Sequence, residues 1–465
     1  VLKLLKPIID VLPQVKPPAT AVGVNERLFW TFAVLVLFFA MFSTTAVGAV
    51  VQSGDFIQTI TASRLGSLVT VGIGPIVLAS LFLQLFVGAK IINVDMNDPK
   101  QKELFLGTQK ILAIVLSFVE AGLFVFSNSR LVDTAFSGSF GLLNTQLLII
   151  FQIGIGSMIL LYLDEVTSRY GLGSGIGIFI AAGVAHAVVS GVFIILFGAQ
   201  NSVLAMLSSP TAQTLPEIIV ALLPIGVTVG VVIVVAYAES IKIEIPLTFE
   251  RGRGMSMPFP IKFLYVSNLP VILASAFMVT IFQLWLGTNG ATIDIMGMNV
   301  AGIVHNTLSY VLPPQGYIPG QSYLSYLSNL SLPSNNVPLP EIRRAMVYIL
   351  FLVVLCVIFG YVWMDTSGMG AKSVSEKMHD VGWHIRGGRS DPRLMEHVLD
   401  KYITTITILG SIFVGLLAGF ADLTGALGTG TGILLTVGIL FRMYEDMQRM
   451  GIVSSVPMLR NLVGE

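Results

Sequence analysis

The sequence predicts an all-α membrane protein of ten transmembrane helices in two inverted halves of five, and three observations carry that prediction. Charged residues make up 11% of the 465 residues and apolar residues 54%, where soluble proteins carry about 25% charge. Apolar runs of about 18 or more residues with almost no charge recur from end to end, as bilayer-spanning helices require. Glycine and proline motifs in the first half are echoed at matching places in the second. A soluble domain needs a charged coat, and this chain lacks the residues to build one.

Residues 1–27 precede the first apolar run. Their apolar stretch is broken by Lys3, Lys6 and Pro7, so no cleavable signal is expected. A short surface helix is expected instead, with Val1, Leu4, Leu5, Ile8 and Leu12 on one face and Lys3, Lys6 and Asp10 off it. The ten runs then follow as 28–47, 65–89, 111–126, 142–163 and 175–197, and as 218–237, 263–286, 345–363, 403–420 and 423–441. The second is interrupted by Gly72, Gly74 and Pro75. Segment 55–63 before it is too short and too polar to span. Basic residues accumulate on the cytoplasmic side. With ten spans and cytoplasmic termini, all of the 26 Lys and Arg residues except Arg64, Arg130, Arg343 and Arg344 fall on that side. One missed helix would scramble this asymmetry downstream.

Two echoes divide the chain into 28–200 and 201–465. Gly171–Gly183 opens the fifth run as GLGSGIGIFIAAG, and the tenth carries LGTGTGILLTVG. The GIGP of the second run is answered by SNLP in the seventh. Five spans per half make the second half enter the bilayer from the opposite side, and interrupted spans at matching places point to a functional centre between halves. The plainer reading is that glycine and proline are common in membrane helices.

Catalytic chemistry is hard to find. The glycine runs enter bilayer helices with no preceding strand and no GK[ST], so close helix packing explains them better than phosphate binding. Cys356 is the single cysteine, and His186, His305, His379, His384 and His397 show no ligand spacing. Neither a metal site nor a cofactor is expected. No nucleophile is paired with a base, so the chain does not read as an enzyme. Within the spans the informative ionisable residue is Glu120, nine residues beyond Ile111 and about 14 Å along a helix axis. A carboxylate at that depth faces the bundle interior or water: it is either a protonated or paired group between helices, or a pathway-lining one.

Four long motifs bring a family into view. TASRLGSLVTVGIGPIV (61–77), YGLGSGIGIFIAAGV (170–184), PIKFLYVSNLPVILASA (260–276) and LLTVGILFRMYE (434–445) resemble the SecY family, in wording closest to its archaeal and eukaryotic branch. The resemblance runs over nearly the whole chain and is weakest in 287–341. It implies a central pore between the halves, through which unfolded polypeptides cross and from which transmembrane segments leave sideways. By similarity, Asp55, Phe56, Ile57, Gln58, Thr59, Ile60, Thr61 and Ala62 form a short plug helix. Ile73, Val77, Ile176, Ile180, Ile272 and Leu435 match the family's pore ring. Aliphatic side chains of this kind can exclude ions by dewetting, although without the resemblance each would pass as ordinary packing. Leu78, Glu120 and Asn268 match the lateral gate, with Leu78 standing where many relatives carry threonine. Loops 239–262 and 365–402 resemble those that meet the ribosome, with Arg251, Arg253 and Arg389 at the basic positions; guanidinium groups suit rRNA phosphates. The reading ESIKIEIPL leaves the first loop less basic than expected. The resemblance also implies SecE-type and Secβ-type small subunits, the signal recognition particle receptor route, nascent polypeptides and lipid as partners. It implies a multi-pass place in the cell membrane with both termini cytoplasmic.

A secondary transporter with inverted repeats is the competing reading. Transporters place several ionisable groups near the midplane, whereas Glu120 stands nearly alone here. A scaffold for other membrane subunits is a third reading, which the plug-like segment and the glycine echoes disfavour.

Overall fold

The computed structural model describes residues 6–18, 22–51, 62–88, 91–92, 94, 98–127, 131–198, 202–208, 214–249, 256–266, 269–288, 294–295, 298–311, 339–381, 383–385 and 392–449. The first half contains α1 (Lys6–Ile9), α2 (Val24–Ser43), α3 (Gly74–Gly88), α4 (Pro99–Ser127), α5 (Thr134–Phe140), α6 (Leu142–Tyr170) and α7 (Gly175–Phe197). Next come α8 (Val203–Ser208), α9 (Thr214–Ser240), β1 (Lys242–Phe249), β2 (Ser256–Lys262) and α10 (Leu269–Thr288). The chain continues through β3 (Asp294–Ile295), β4 (Met298–Asn299), α11 (Val300–Val311), α12 (Leu339–Thr366), α13 (Ala371–Val381) and β5 (Trp383–Ile385). It ends in α14 (Pro392–Leu423) and α15 (Gly430–Arg449). Each predicted run overlaps a helix, most with different bounds. Seven described helices are long and apolar enough to cross a membrane, and α3, at 15 residues, is shorter.

The shortening of the second and seventh spans has a physical cause. Both helices begin only at their prolines, with Pro75 and Pro270 each the second helical residue. A proline in the first turn lacks only an N–H that would have no helical partner anyway. Upstream of Pro75, residues 65–73 run as turns, with Gly66 at φ +89 and Gly72 at φ +59, a region that side chains with a Cβ avoid. This stretch lies against α6. Ser157 Oγ donates to the Gly72 carbonyl at 3.2 Å, and a Cβ at Gly156 would sit 2.0 Å from the Leu68 carbonyl oxygen. Polar backbone at this depth is thus covered by protein rather than lipid.

Buried side chains form a large central cluster and two flanking ones. The central cluster joins α2, α3, α6, α7, α9, α10, α12, α14 and α15. A second, with Val71, Phe124 and Ile149, lies among the 65–73 stretch, α4 and α6. A third packs Ile261, Met364, Met378 and Leu399 between the base of β2, the end of α12, α13 and α14.

The described residues add detail at both polar ends. The described N-terminal helix is one turn long, and the side chain it buries is Ile9 rather than Ile8, which is 52% exposed. Gly107 supplies the notch, since a Cβ there would meet Ile9 Cγ2 at 2.5 Å. The loops 239–262 and 365–402 are partly strand. β1 pairs antiparallel with β2 along its whole length, and Leu247–Phe249 pairs with β5 in the order β2-β1-β5. The two loops therefore form one small sheet.

Candidate functional site

The six ring residues all lie within two turns of a helix start. Ile73 immediately precedes α3, and the Val77 N–H donates to the Ile73 carbonyl at 3.2 Å, so the i, i+4 relation holds across the junction. Ile176 and Ile180 are the second and sixth residues of α7, Ile272 the fourth of α10 and Leu435 the sixth of α15. Ile73, Val77, Ile180 and Leu435 are buried in the central cluster, and Ile176 and Ile272 are partly buried against it. Four separate helix starts thus contribute to the same buried hydrophobic cluster.

The helices carrying the ring are held by polar contacts at their starts. The N-cap residue of α7, Ser174, makes no side-chain capping bond. Instead, Asp164 on α6 accepts the Ile176 N–H through Oδ1 at 2.8 Å. Gly175 permits the approach, because a Cβ there would lie 2.6 Å from Asp164 Cα. In α15, Thr429 caps the third residue, Oγ1 accepting the Gly432 N–H at 3.1 Å. Asp422 at the end of α14 accepts the Gly430 N–H at 2.6 Å through Oδ1 and the Tyr348 hydroxyl at 2.8 Å through Oδ2. A Cβ at Gly430 would lie 2.5 Å from the Ala418 carbonyl oxygen. Helices α7 and α15 also pack on each other, with Gly177 facing Ile439 and Gly191 facing Leu427. The two therefore run antiparallel.

Asp164 and Asp422 were missed by the sequence reading, which gave Glu120 near-solitary status. Asp422 fell between two predicted spans and Asp164 just beyond the end of another. A signal existed: DEVT and DLT stand directly before the two glycine runs. Both threonines return their hydroxyl to the i−4 carbonyl, Thr167 to Leu163 and Thr424 to Phe420.

Helix α3 packs on α10 and α12, and α4 packs on α10. Leu78 on α3 and Glu120 on α4 are both buried, at 3% exposure each. Leu78 belongs to the central cluster. On the opposing helix, the buried Ser275 Oγ has no hydrogen-bond partner among the described residues. Asn268 lies outside the described residues, as do Arg251, Arg253 and Arg389. Of the plug segment only Ala62 is described. It is buried in the central cluster at φ +50, and a Cβ at Gly183, three residues past Ile180, would come 3.1 Å from its Cα. Among the described residues no group of His, Cys, Asp and Glu is arranged to hold a metal ion.

Comparison with known proteins follows this geometry. Residues 67–444 match the SecY family model. A relative named protein translocase subunit SecY, from Methanococcus vannielii, is 40% identical over 466 residues, covering 99% of each chain. Three solved structures are similar over 97% of this chain. One, described as the structure of a protein conducting channel, has TM-score 0.77 at 38% identity and is covered over 98% of its length. A second is described as showing that the plug domain of the SecY protein stabilises the closed state of the translocation channel and maintains a membrane seal; its TM-score is 0.74 at 37% identity, with 97% of it covered. The third, Sec61 in the canine ribosome-channel complex from the endoplasmic reticulum, gives 0.73 at 37%, again with 97% covered. At this identity and coverage, with the motifs in order from the plug segment to the last helix, the chain belongs to the SecY family.

Proposed function

We propose that this chain is the central pore-forming subunit of a protein-conducting channel, which passes unfolded polypeptides across a membrane and releases transmembrane segments sideways into lipid. The observation that carries the reading is that Ile73, Val77, Ile176, Ile180, Ile272 and Leu435 stand at four helix starts and are buried in, or packed against, one hydrophobic cluster. A girdle of such side chains makes continuous water unfavourable when the channel is empty. It also yields around a peptide of any composition, because it offers no fixed hydrogen bonds that one substrate would satisfy and another would not. The seam between α3 and α4 on one side and α10 and α12 on the other is the proposed lateral gate, with Leu78, Glu120 and Asn268 at it. Residues 55–62 are the proposed plug, consistent with Ala62 lying beside Gly183.

The finer features of the reading rest on the family and on charge distribution. Ten spans in two inverted halves, 28–200 and 201–465, with 1–27 and both termini cytoplasmic, agree with the distribution of Lys and Arg. A place in the cell membrane follows if the chain works as its archaeal relatives do. Ribosome docking at 239–262 and 365–402 through Arg251, Arg253 and Arg389 is supported by the ribosome-bound relative and by the shared sheet β2-β1-β5. SecE-type and Secβ-type subunits and delivery through the signal recognition particle receptor are proposed from the family alone.

The test is crosslinking from a stalled nascent chain. Photoreactive groups at Ile73, Ile176 and Ile272 should capture a chain arrested in transit, and groups at the exposed Val119 and Ile233 should not. Saturable uptake of a small solute, with no capture at the three ring positions, would move the assignment to a transporter.

A further inference from the structure

Two carboxyl groups outside the ring hold the starts of two ring-bearing helices in the same way. Asp164 is on the helix that immediately precedes α7, and Asp422 on the helix that immediately precedes α15. Each presents Oδ1 to a first-turn N–H of the following helix, at 2.8 Å to Ile176 and 2.6 Å to Gly430. These N–H groups have no partner within their own helix. Capping residues ordinarily come from the turn itself; here the acceptor is seven or more residues upstream, on a different helix. Each contact also requires a glycine at the approach, Gly175 and Gly430. The two sites lie in opposite halves of the chain, and α7 and α15 pack antiparallel, so the contacts stand at opposite ends of one helix pair.

We infer that Asp164 and Asp422 are matched positioning residues, each setting the axial depth and rotation of a ring-bearing helix by fixing its first turn to the helix before it. The inference rests on the ring reading above. From Asp164 the constraint reaches Ile176 within the same residue and Ile180 one turn later. From Gly430 to Leu435 is five residues, about 7.5 Å of axial rise. A shift of even a fraction of a turn at either start would displace these side chains within the central cluster. Tyr348 ties the second carboxyl to α12 as well, a helix of the proposed gate seam, so that α15 and the seam share an anchor. Among the described residues Asp164 has no hydroxyl donor equivalent to Tyr348. The Asp422 anchor of α15 is therefore predicted to be the more sensitive of the two.

The test compares alanine and asparagine at each position in the purified channel complex, reconstituted in planar bilayers. Asparagine keeps an oxygen acceptor for the N–H, and alanine removes it. Asp164→Ala and Asp422→Ala should raise the resting ion conductance several-fold, while Asp164→Asn and Asp422→Asn remain closed. Amide hydrogen exchange should quicken in the first turns of α7 and α15 of the alanine variants alone. If an alanine variant fails to insert, Asp→Ser, whose hydroxyl is too short to span the gap, takes its place. Closed alanine or serine channels would overturn the inference, as would asparagine channels that leak equally. Failure of both Ala and Ser to insert, with Asn inserted and closed, would make the carboxyls folding anchors only and would also overturn it. The triple change Ile73→Asn, Ile176→Asn and Ile272→Asn is run alongside. If the triple variant does not leak, the ring reading itself fails; if it leaks while the alanine and serine variants stay closed, only the positioning inference fails.

Discussion

Leu78 shows how one side chain at the seam translates into opening energy. It is buried in the central cluster on α3, where that helix meets α10 and α12. Replacing a buried leucine by threonine removes apolar contact and places a hydroxyl among aliphatic neighbours, at a cost of roughly 2–3 kcal/mol to the closed seam. Parting the seam exposes that hydroxyl to water or to a passing peptide, so the open arrangement loses less. Leu78→Thr should therefore raise the fraction of a marginally apolar segment that partitions into lipid, scored by glycosylation mapping of inserted against translocated product. An unchanged partition would remove Leu78 from the gate. At this scale the proposed ring rests on family resemblance, because an isoleucine in an apolar run reads the same whether it faces a pore, a neighbour or lipid. Glu120 could be singled out because a carboxylate within a span is rare. Asp164 and Asp422 could not, since each stood at a run boundary where an aspartate ordinarily marks solvent. Their engagement with backbone N–H groups also answers the transporter reading: these two carboxyls are occupied as structural acceptors rather than offered to an ion.

Among the elements, the glycine and proline echoes proved to be helix starts. GIGP and SNLP, and the two glycine runs, each mark where a helix begins beside the central cluster. Apolarity could not reveal this, because residues 65–73 are as hydrophobic as the helix they precede and differ only in backbone. What permits the extended stretch is glycine on its neighbour. Gly156 on α6 lets the Leu68 carbonyl approach to within 2.0 Å of where a Cβ would be. Gly156→Ala must push backbone aside and should destabilise the purified channel by about 1–3 kcal/mol, the usual cost of overpacking. Gly230 on α9 has nothing within 4 Å of its Cβ position. Gly230→Ala should be neutral or stabilising by up to about 1 kcal/mol, since glycine is a poor helix residue. Thermal unfolding midpoints of the two variants check the contrast, and equal shifts would mean that the 65–73 stretch can relax. The sheet was missed for the opposite reason. Pro246, Pro258 and Pro260 disfavour strands, although Ile243 and Ile245 alternate with Lys242 and Glu244 as a strand requires.

For the whole molecule, the arrangement of basic residues and the arrangement of helices make one joint claim about sidedness. If the ten helices overlapping the predicted runs all cross, β1, β2, α13 and β5 emerge on the face that carries the termini, and segment 312–338 emerges on the other. The packing agrees with that grouping. Lys262 at the end of β2 pairs with Glu445 on α15 at 2.6 Å, and Tyr265 donates to the Met369 carbonyl at 2.7 Å. The N-terminal segment is tied down by Lys110 donating to the Pro13 carbonyl and by Tyr170 donating to the Lys16 carbonyl. These contacts hold the N-terminal segment to the ends of α4 and α6, and the hairpin base to the ends of α12 and α15. Positive charge on these ends is held on the cytoplasmic side during insertion. With Cys356, the single cysteine, replaced, cysteines at Ser256 and Ser373 should react with impermeant reagents from the cytoplasmic side alone. A cysteine at Ser334 should react from outside alone. Helices α3 and α10 make the experiment decisive, because either one failing to cross would invert everything after it. If α10 turned back, Ser256 would stay cytoplasmic while Ser334 joined it, and Ser373 would move outside. If α3 turned back, Ser256 and Ser373 would react from outside and Ser334 from the cytoplasm. Cytoplasmic Ser256 and Ser373 with an external Ser334 require both α3 and α10 to cross.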